Sequence, residues 1–124
     1  MSWKITAEQD PDSESISLGD LDIVAAEASE PVALIVTSAT DRITDGVTVG
    51  VFGDDSRYIQ LARDDAGKPG VWAAAGEAII AAVGRFTRDD SVRIWARVIA
   101  PMDSETAELG DRKFGFLVRG LIIG

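Results

Sequence analysis

Short segments in which apolar and polar residues alternate recur along this chain, and they limit the folds it can adopt. Val47, Val49 and Val51 alternate with small or polar residues, and Ser91–Ala100 repeats the pattern. Alternate residues of a strand point to the same side of a sheet, so a period of two predicts strands with one buried face. Turn residues separate the segments roughly every ten to fifteen residues, a spacing typical of a β-sandwich or a small barrel.

The coarse prediction is an all-β fold, an antiparallel sandwich of about seven strands. A small β-barrel is the alternative, and residues 72–83 leave a second choice. Their alanines favour a helix, which would make the fold α+β, but their apolar residues form no helical stripe. Turns or loops are predicted at Asp41–Gly46, Asp64–Gly70 and Met102–Asp111. The predicted strands are Val32–Thr37, Val47–Phe52, Arg57–Arg63, Glu77–Val83, Ser91–Ala100 and Phe114–Gly124, after a first strand at Ser15–Leu18 or Leu21–Ala26.

Length and composition predict one globular domain without a membrane segment. The 124 residues suit a single unit, which we place at residues 15–124. Residues 1–14 are polar and turn-rich and predict an N-terminal arm, with Trp3 as the anchor that fits between neighbouring molecules. No apolar run approaches the about 18 residues that span a bilayer, and no secretory signal opens the chain. We therefore expect synthesis in a host cytoplasm without secretion.

The residues available for chemistry are few. The chain has no cysteine and no histidine, which excludes disulfides, zinc fingers and catalysis by either residue. No serine-nucleophile or phosphate-loop motif is present, so we expect neither an enzyme nor a cofactor. The net charge of −9 also argues against nucleic acid or anionic membranes as partners.

Three pairs of acidic residues fall in predicted loops. Asp54-Asp55, Asp64-Asp65 and Asp89-Asp90 supply the oxygen ligands that calcium prefers. None of the pairs has the spaced Asp-x-Asp-x-Asp-Gly pattern of a calcium loop. We interpret them as solvated turns, and no metal site is predicted.

Arginine and tryptophan alternate on one side of the strand at Ser91–Ala100. Arg93, Trp95 and Arg97 share a face, which Tyr58 and Trp72 would extend. Both residue types are enriched at the centres of protein interfaces. Two orientations remain open: this side is a partner surface, or Trp95 lies in the core and the apolar side of the strand points outward.

Three segments resemble the pattern of immunoglobulin-like accessory domains in tailed-phage virion proteins. They are Ala26–Thr37 followed by Asp45–Val51, then Val92–Pro101, then Leu109–Gly120, and the resemblance covers about residues 21–124. It implies a non-enzymatic building block of a virion head, neck, tail or baseplate. Its partners would be other copies of itself and other virion proteins. The cysteine pair of antibody domains is missing.

A carbohydrate- or surface-binding module is the alternative function, with Tyr58, Trp72 and Trp95 as a stacking platform. An aromatic content of 6% and the missing secretion signal weigh against it. The candidate partner-binding residues are Trp3, Tyr58, Trp72, Arg93, Trp95 and Arg97.

Overall fold

The computed structural model describes residues 3–8, 30–38, 41–53, 56–99 and 114–124, which form eight β-strands and a short 3₁₀ helix at Ser56–Tyr58. The strands are β1 (Trp3–Ala7), β2 (Val32–Ser38), β3 (Thr44–Phe52), β4 (Ile59–Asp65), β5 (Lys68–Trp72), β6 (Ile79–Phe86), β7 (Ser91–Val98) and β8 (Gly115–Ile122). The all-β prediction is confirmed.

The strands form two antiparallel sheets, with the orders β1-β2-β7-β4-β5 and β6-β3-β8. The two sheets stay separate across the described residues, which is the predicted sandwich and not the alternative barrel. The α+β alternative is wrong. Between Trp72, where β5 ends, and Ile79, where β6 begins, the chain makes a turn through Gly76, whose φ of +83° favours glycine.

Three antiparallel pairs are nested along the chain: β4 with β5, β3 with β6, and β2 with β7. Successive pairs lie in alternate sheets. A long hairpin that folds over on itself in this way forms a two-sheet jelly roll. Within the described residues, β3 is the central strand of the three-stranded sheet, between β6 and β8.

The core lies between the sheets and is built from alternate residues of the longer strands. Each of these residues belongs to the apolar half of an alternating segment, so burial follows the period of two. The common face that the sequence predicted for Val47, Val49 and Val51 points toward this core. The large side chains that are less than 2% exposed are Leu34, Val36, Val47, Val49, Ile59, Leu61 and Ile94, together with Thr44.

The predicted N-terminal arm is wrong for its first residues. Trp3–Ala7 is strand β1, which pairs with β2 from Trp3↔Ser38 to Ala7↔Leu34. The ring of Trp3 packs against Phe86 of the other sheet, with 5.9 Å between ring centroids. Trp3 therefore closes one end of the core instead of anchoring an arm between neighbours. The remainder of the predicted arm, residues 9–14, lies outside the described residues.

Two predicted turns are also corrected. The loop predicted at Asp64–Gly70 is a tight hairpin in which Ala66 and Gly67 connect β4 to β5. The turn predicted at Asp41–Gly46 ends earlier, because β3 begins at Thr44 and crosses Gly46 through a register shift. The first strand predicted at 15–18 or 21–26 and the connection at 102–111 lie outside the described residues. Within the described ranges, no helix is long and apolar enough to cross a membrane.

Candidate functional site

The outer face of the five-stranded sheet carries the arginines and tryptophans that the sequence singled out. Ile94 and Ala96 of β7 are fully buried against the other sheet, so their neighbours Arg93, Trp95 and Arg97 point away from the core. This decides between the two orientations that the sequence left open. Trp95 is not a core residue, and the apolar side of β7 faces inward.

Two carboxylates hold Arg93 and Trp95 in place. They belong to Glu8, which follows β1, and to Asp64 of β4. Arg93 donates from Nε and from a terminal nitrogen to the two oxygens of Glu8, at 2.6 and 2.8 Å. Its other terminal nitrogen lies 3.9 Å from Asp64, whose carboxylate also accepts the indole N–H of Trp95 at 2.8 Å. The forked contact with Glu8 fixes the guanidinium plane as well as its position.

These contacts act on the charge of Arg93. The hydrogen bonds that Arg93 donates to Glu8, and then the charge of Glu8, raise the pKa of the Arg93 guanidinium, and Asp64 adds a smaller attraction. Arg93 is thus kept charged next to two carboxylates. At this end of the face, positive and negative groups alternate.

Arg97 and Trp72 form the other end of the face. The guanidinium carbon of Arg97 lies 4.2 Å from the centre of the Trp72 ring, a cation–π contact. Its Nε donates to Gln60 at 2.8 Å. Across the described part of the chain, the terminal nitrogens of Arg97 make no hydrogen bond. A guanidinium can bind a carboxylate through two parallel hydrogen bonds.

We call this surface the Arg/Trp face. It comprises Glu8, Gln60, Asp64, Trp72, Arg93, Trp95 and Arg97. A hollow of about 490 Å³ beside Arg93 and Trp95 makes part of this face concave. Because stacking, ion pairing and hydrogen bonding fix the four large side chains, little rotamer entropy remains to be lost when a partner binds.

The remaining two candidates lie elsewhere. Trp3 belongs to the core side of β1, as described above. Tyr58 is only 8% exposed, in the 3₁₀ helix before β4, with the Arg57 guanidinium 4.9 Å from its ring centre. Of the six predicted residues, the structure therefore brings together four: Trp72, Arg93, Trp95 and Arg97.

Comparison with protein-family models, with curated proteins and with solved structures finds no match for this chain. The site is therefore interpreted from its own geometry.

Two of the acidic pairs are described, Asp64-Asp65 at the end of β4 and Asp89-Asp90 in the turn after β6. Protein groups already engage one carboxylate of each pair. Asp64 binds Trp95, and Asp90 accepts both the backbone N–H and the hydroxyl of Thr87 at 2.8 and 3.2 Å. Across the described ranges, no group of three or more carboxylates is placed to hold a metal ion. Asp54 and Asp55 lie outside those ranges.

The outer face of the three-stranded sheet is a second surface, which the sequence reasoning missed. Phe52, Ile80, Leu117 and Leu121 are between 41% and 68% exposed there. We call this surface, defined by these four side chains, the apolar face. Its residues belong to predicted strands, but their outward orientation depends on which side of each strand meets the other sheet. The signal available in the sequence was that a phenylalanine and leucines stand among the residues that alternate with the buried ones.

Proposed function

We propose that this protein is a non-enzymatic structural subunit of a phage-like particle that acts by binding other proteins through its Arg/Trp face. The arrangement of Arg97 on Trp72, next to the paired Arg93 and Trp95, carries the proposal. Arginine and tryptophan dominate the energetic centres of protein interfaces, and here they are already held in place.

The fold supports the same proposal at a more general level. Two-sheet jelly rolls occur in viral capsid domains and in lectins. A fold by itself does not determine a function, so the assignment rests on the face and on the resemblance of the strand pattern to virion accessory domains. The face is an open sheet surface with one hollow of about 490 Å³, and its fixed arginines and tryptophans are the residue types enriched at protein interfaces.

The direct test is whether the chain is a component of particles. Particles from cells that carry this sequence are purified on a density gradient, and the chain is quantified by mass spectrometry. We expect it in the particle fractions at a fixed molar ratio to the most abundant particle protein. Recovery of the chain from the cells but not from purified particles would contradict the virion role.

The face is tested by adding purified chain back to particles that lack it. Arg97→Ala removes the guanidinium that stacks on Trp72 and is expected to weaken binding at least about tenfold, as for a typical hot-spot residue. Arg88→Ala is the matched control. Arg88 lies in the turn after β6 and pairs with Asp41, and neither residue belongs to the face. Equal binding of the two variants would exclude the Arg/Trp face as the docking surface.

The carbohydrate-binding alternative predicts a different outcome. Under it, the unmodified chain binds glycans on an array, and Trp72→Ala abolishes the signal. The predicted platform is incomplete in the structure, because Tyr58 is buried and Arg97 covers one side of Trp72. A glycan signal of that kind would replace the virion proposal.

A further inference from the structure

We infer that the free edge of β8, the side of this strand that does not pair with β3, binds residues 21–26 of the same chain as an antiparallel strand. Such a strand would extend the three-stranded sheet to four strands. The inference concerns this sheet alone and does not rest on the proposed role of the Arg/Trp face. Residues 21–26 belong to the connection between β1 and β2, of which residues 9–29 lie outside the described residues.

Among the edge strands of the two described sheets, β8 is the one without protection against further pairing. Proteins blunt the edges of sheets with lysine, proline, irregular pairing or short strands. Strands β1 and β5 have five residues each, and they contain Lys4, Lys68 and Pro69. In β6 the pairing with β3 is irregular around Gly84, whose φ is +84°. Strand β8 has eight residues and no lysine or proline, and the extra residue in its pairing with β3 belongs to β3.

The core is incompletely covered beside β8. Phe116 and Val118 pack against the core but are only partly buried. Val47 and Val49 of the neighbouring β3 are at most 1% exposed. The difference arises because β3 has a strand on each side and β8 has a strand on one side within the described ranges. A strand on the free edge of β8 would cover both side chains.

The sequence of residues 21–26 fits this place. Leu21, Ile23 and Ala25 recur with the period of two that is typical of a strand, and Asp22 lies between the first two. On the free edge of β8, Leu21 and Ile23 would point into the core while Asp22 faces solvent. The segment therefore offers the apolar side chains that the open part of the core lacks.

The order of the described strands requires a strand at this position. The pairs β4–β5, β3–β6 and β2–β7 are nested, and successive pairs alternate between the sheets. The next pair outward joins a strand before β2 to the strand after β7, and it belongs in the sheet of β3 and β6. Strand β8 follows β7 and lies in that sheet beside β3. Its partner is not β1, because β1 pairs with β2 in the other sheet.

The direction of the strands agrees with this assignment. Trp3 at the start of β1 packs against Phe86 at the end of β6, which adjoins the end of β8 across the start of β3. Strand β1 therefore ends, and β2 begins, at the opposite end of the sandwich, where β8 begins. A strand antiparallel to β8 runs toward that end. Residues 21–26 would thus lead into β2 through residues 27–31, a connection of ordinary length.

The length of the preceding chain also suffices. Residues 9–20 must return from the end of β1 to the end of β8, and the eight residues of β8 span about 26 Å. Twelve residues reach about 40 Å when extended. The other strand predicted in this segment, residues 15–18, is shorter and would leave thirteen residues before β2. Residues 21–26 are therefore the better fit.

Hydrogen exchange of the unmodified chain tests whether the edge is covered. Alternate N–H groups of an antiparallel strand point to opposite sides, so half of the β8 amides point away from β3. We expect these amides to exchange at least about tenfold more slowly than the amides of β5 that point away from β4. Equally rapid exchange at the two edges would overturn the inference.

Proline substitutions identify the segment that covers the edge. Proline has no N–H, and successive residues of a strand direct their N–H groups to opposite sides, so one of Val24→Pro and Ala25→Pro removes a hydrogen bond to β8. We expect the outward β8 amides of that variant to exchange at least about tenfold faster, while the amides of β4 stay protected. Ala107→Pro, in the segment between β7 and β8, is the matched control and should change nothing. Faster exchange in Ala107→Pro alone would assign the edge to that segment and overturn the inference.

A nitroxide label tests whether the strand comes from the same chain. The natural chain has no cysteine, so Asp22→Cys carries a single label, on the side that faces solvent. We expect the label to broaden the amide signals of β8, and not those of β5, when label and isotope are in one chain. In a mixture of nitroxide-labelled chains with isotope-labelled chains, the β8 signals should stay sharp.

Two results of this experiment would overturn the inference. Broadening in the mixture would mean that a second copy supplies the strand, and β8 signals that stay sharp in both samples would mean that residues 21–26 lie elsewhere. These variants leave Arg97 unchanged. Binding to particles through the Arg/Trp face therefore tests the proposed function separately.

Discussion

At the scale of single residues, one buried hydroxyl lies in an unfavourable environment. Thr44 is fully buried, and its Oγ1 has no hydrogen-bond partner among the described residues. A buried hydroxyl without a partner costs about 1–3 kcal/mol. Valine has the same shape without the hydroxyl, so we expect Thr44→Val to raise the free energy of unfolding by about 1 kcal/mol. Urea denaturation measures this change, and a loss of stability would show that the hydroxyl has a partner.

An added methyl group should cost different amounts of stability at the two glycines of β8, Gly115 and Gly120. At Gly120 the new Cβ would lie 2.9 Å from the side chain of Thr44 and 3.0 Å from the carbonyl oxygen of Gly46. Because backbone cannot yield easily, we expect Gly120→Ala to destabilise the fold by about 1–3 kcal/mol. At Gly115 the obstacle is the Phe52 ring, which is half exposed and able to turn away.

Thermal unfolding of the two alanine variants checks this pair. Gly115→Ala should lower Tm far less than Gly120→Ala, because only a surface ring moves. Equal losses at the two positions would mean that Phe52 is held as firmly as the core is.

Alternation in the sequence predicts which residues share a face of a strand, but it does not predict which side chains bind each other. The period of two in β7 separated Ile94 and Ala96 from the arginines and tryptophan without any structural information. It did not predict that Asp64 and Glu8 hold Trp95 and Arg93. Those contacts join residues 31 and 85 positions apart, and no local pattern encodes such a separation.

At the scale of elements, the β4–β5 hairpin contains a strained turn. Ala66 has φ +52° and Gly67 has φ +87°, the combination of a type I′ turn, which favours Asn-Gly. A non-glycine residue such as alanine in this region is disfavoured by about 1–2 kcal/mol. Asparagine tolerates the conformation better.

Ala66→Asn should therefore stabilise the protein by about 0.5–1 kcal/mol. Chemical denaturation of the variant and the unmodified chain gives the difference. Ala74→Asn, at an exposed position in the connection after β5, controls for the asparagine itself. Lower stability of Ala66→Asn would indicate a different turn conformation.

This hairpin also explains why β5 was missed in the sequence. The run Asp64–Gly70 is dense in turn residues, yet only Ala66 and Gly67 form the turn. Pro69 lies in β5 at the edge of the sheet, where proline is tolerated because one side of the strand needs no ladder hydrogen bond. Strand β1 was missed for a related reason, since five residues with Lys4 among them give too short an alternation.

At the scale of the whole molecule, the sandwich presents two different outer faces. Ion pairs and aromatic rings make up the Arg/Trp face, and exposed aliphatic and phenyl groups make up the apolar face. The strand alternation predicted the sandwich class and placed Arg93, Trp95 and Arg97 on one side of a strand, but it left open whether that side faces outward. The apolar face and the strand order could not be predicted, since they depend on how two sheets are stacked and which side of each strand is covered.

The two faces respond differently to salt. Contacts between charged groups on a surface weaken as ionic strength rises, because the Debye length falls from about 10 Å at 0.1 M to about 3 Å at 1 M. Burial of apolar groups is not screened in this way. A contact made by the apolar face should therefore persist at high salt, whereas association through the Arg/Trp face should weaken.

The measurement that tests this account most directly is the binding of the purified chain to particles that lack it, compared at low and at high salt. We predict that the chain binds at low salt, that 1 M salt weakens the binding, and that Arg97→Ala weakens it at least about tenfold. Absence of binding under every condition, or binding that neither salt nor Arg97→Ala changes, would contradict assembly through the Arg/Trp face.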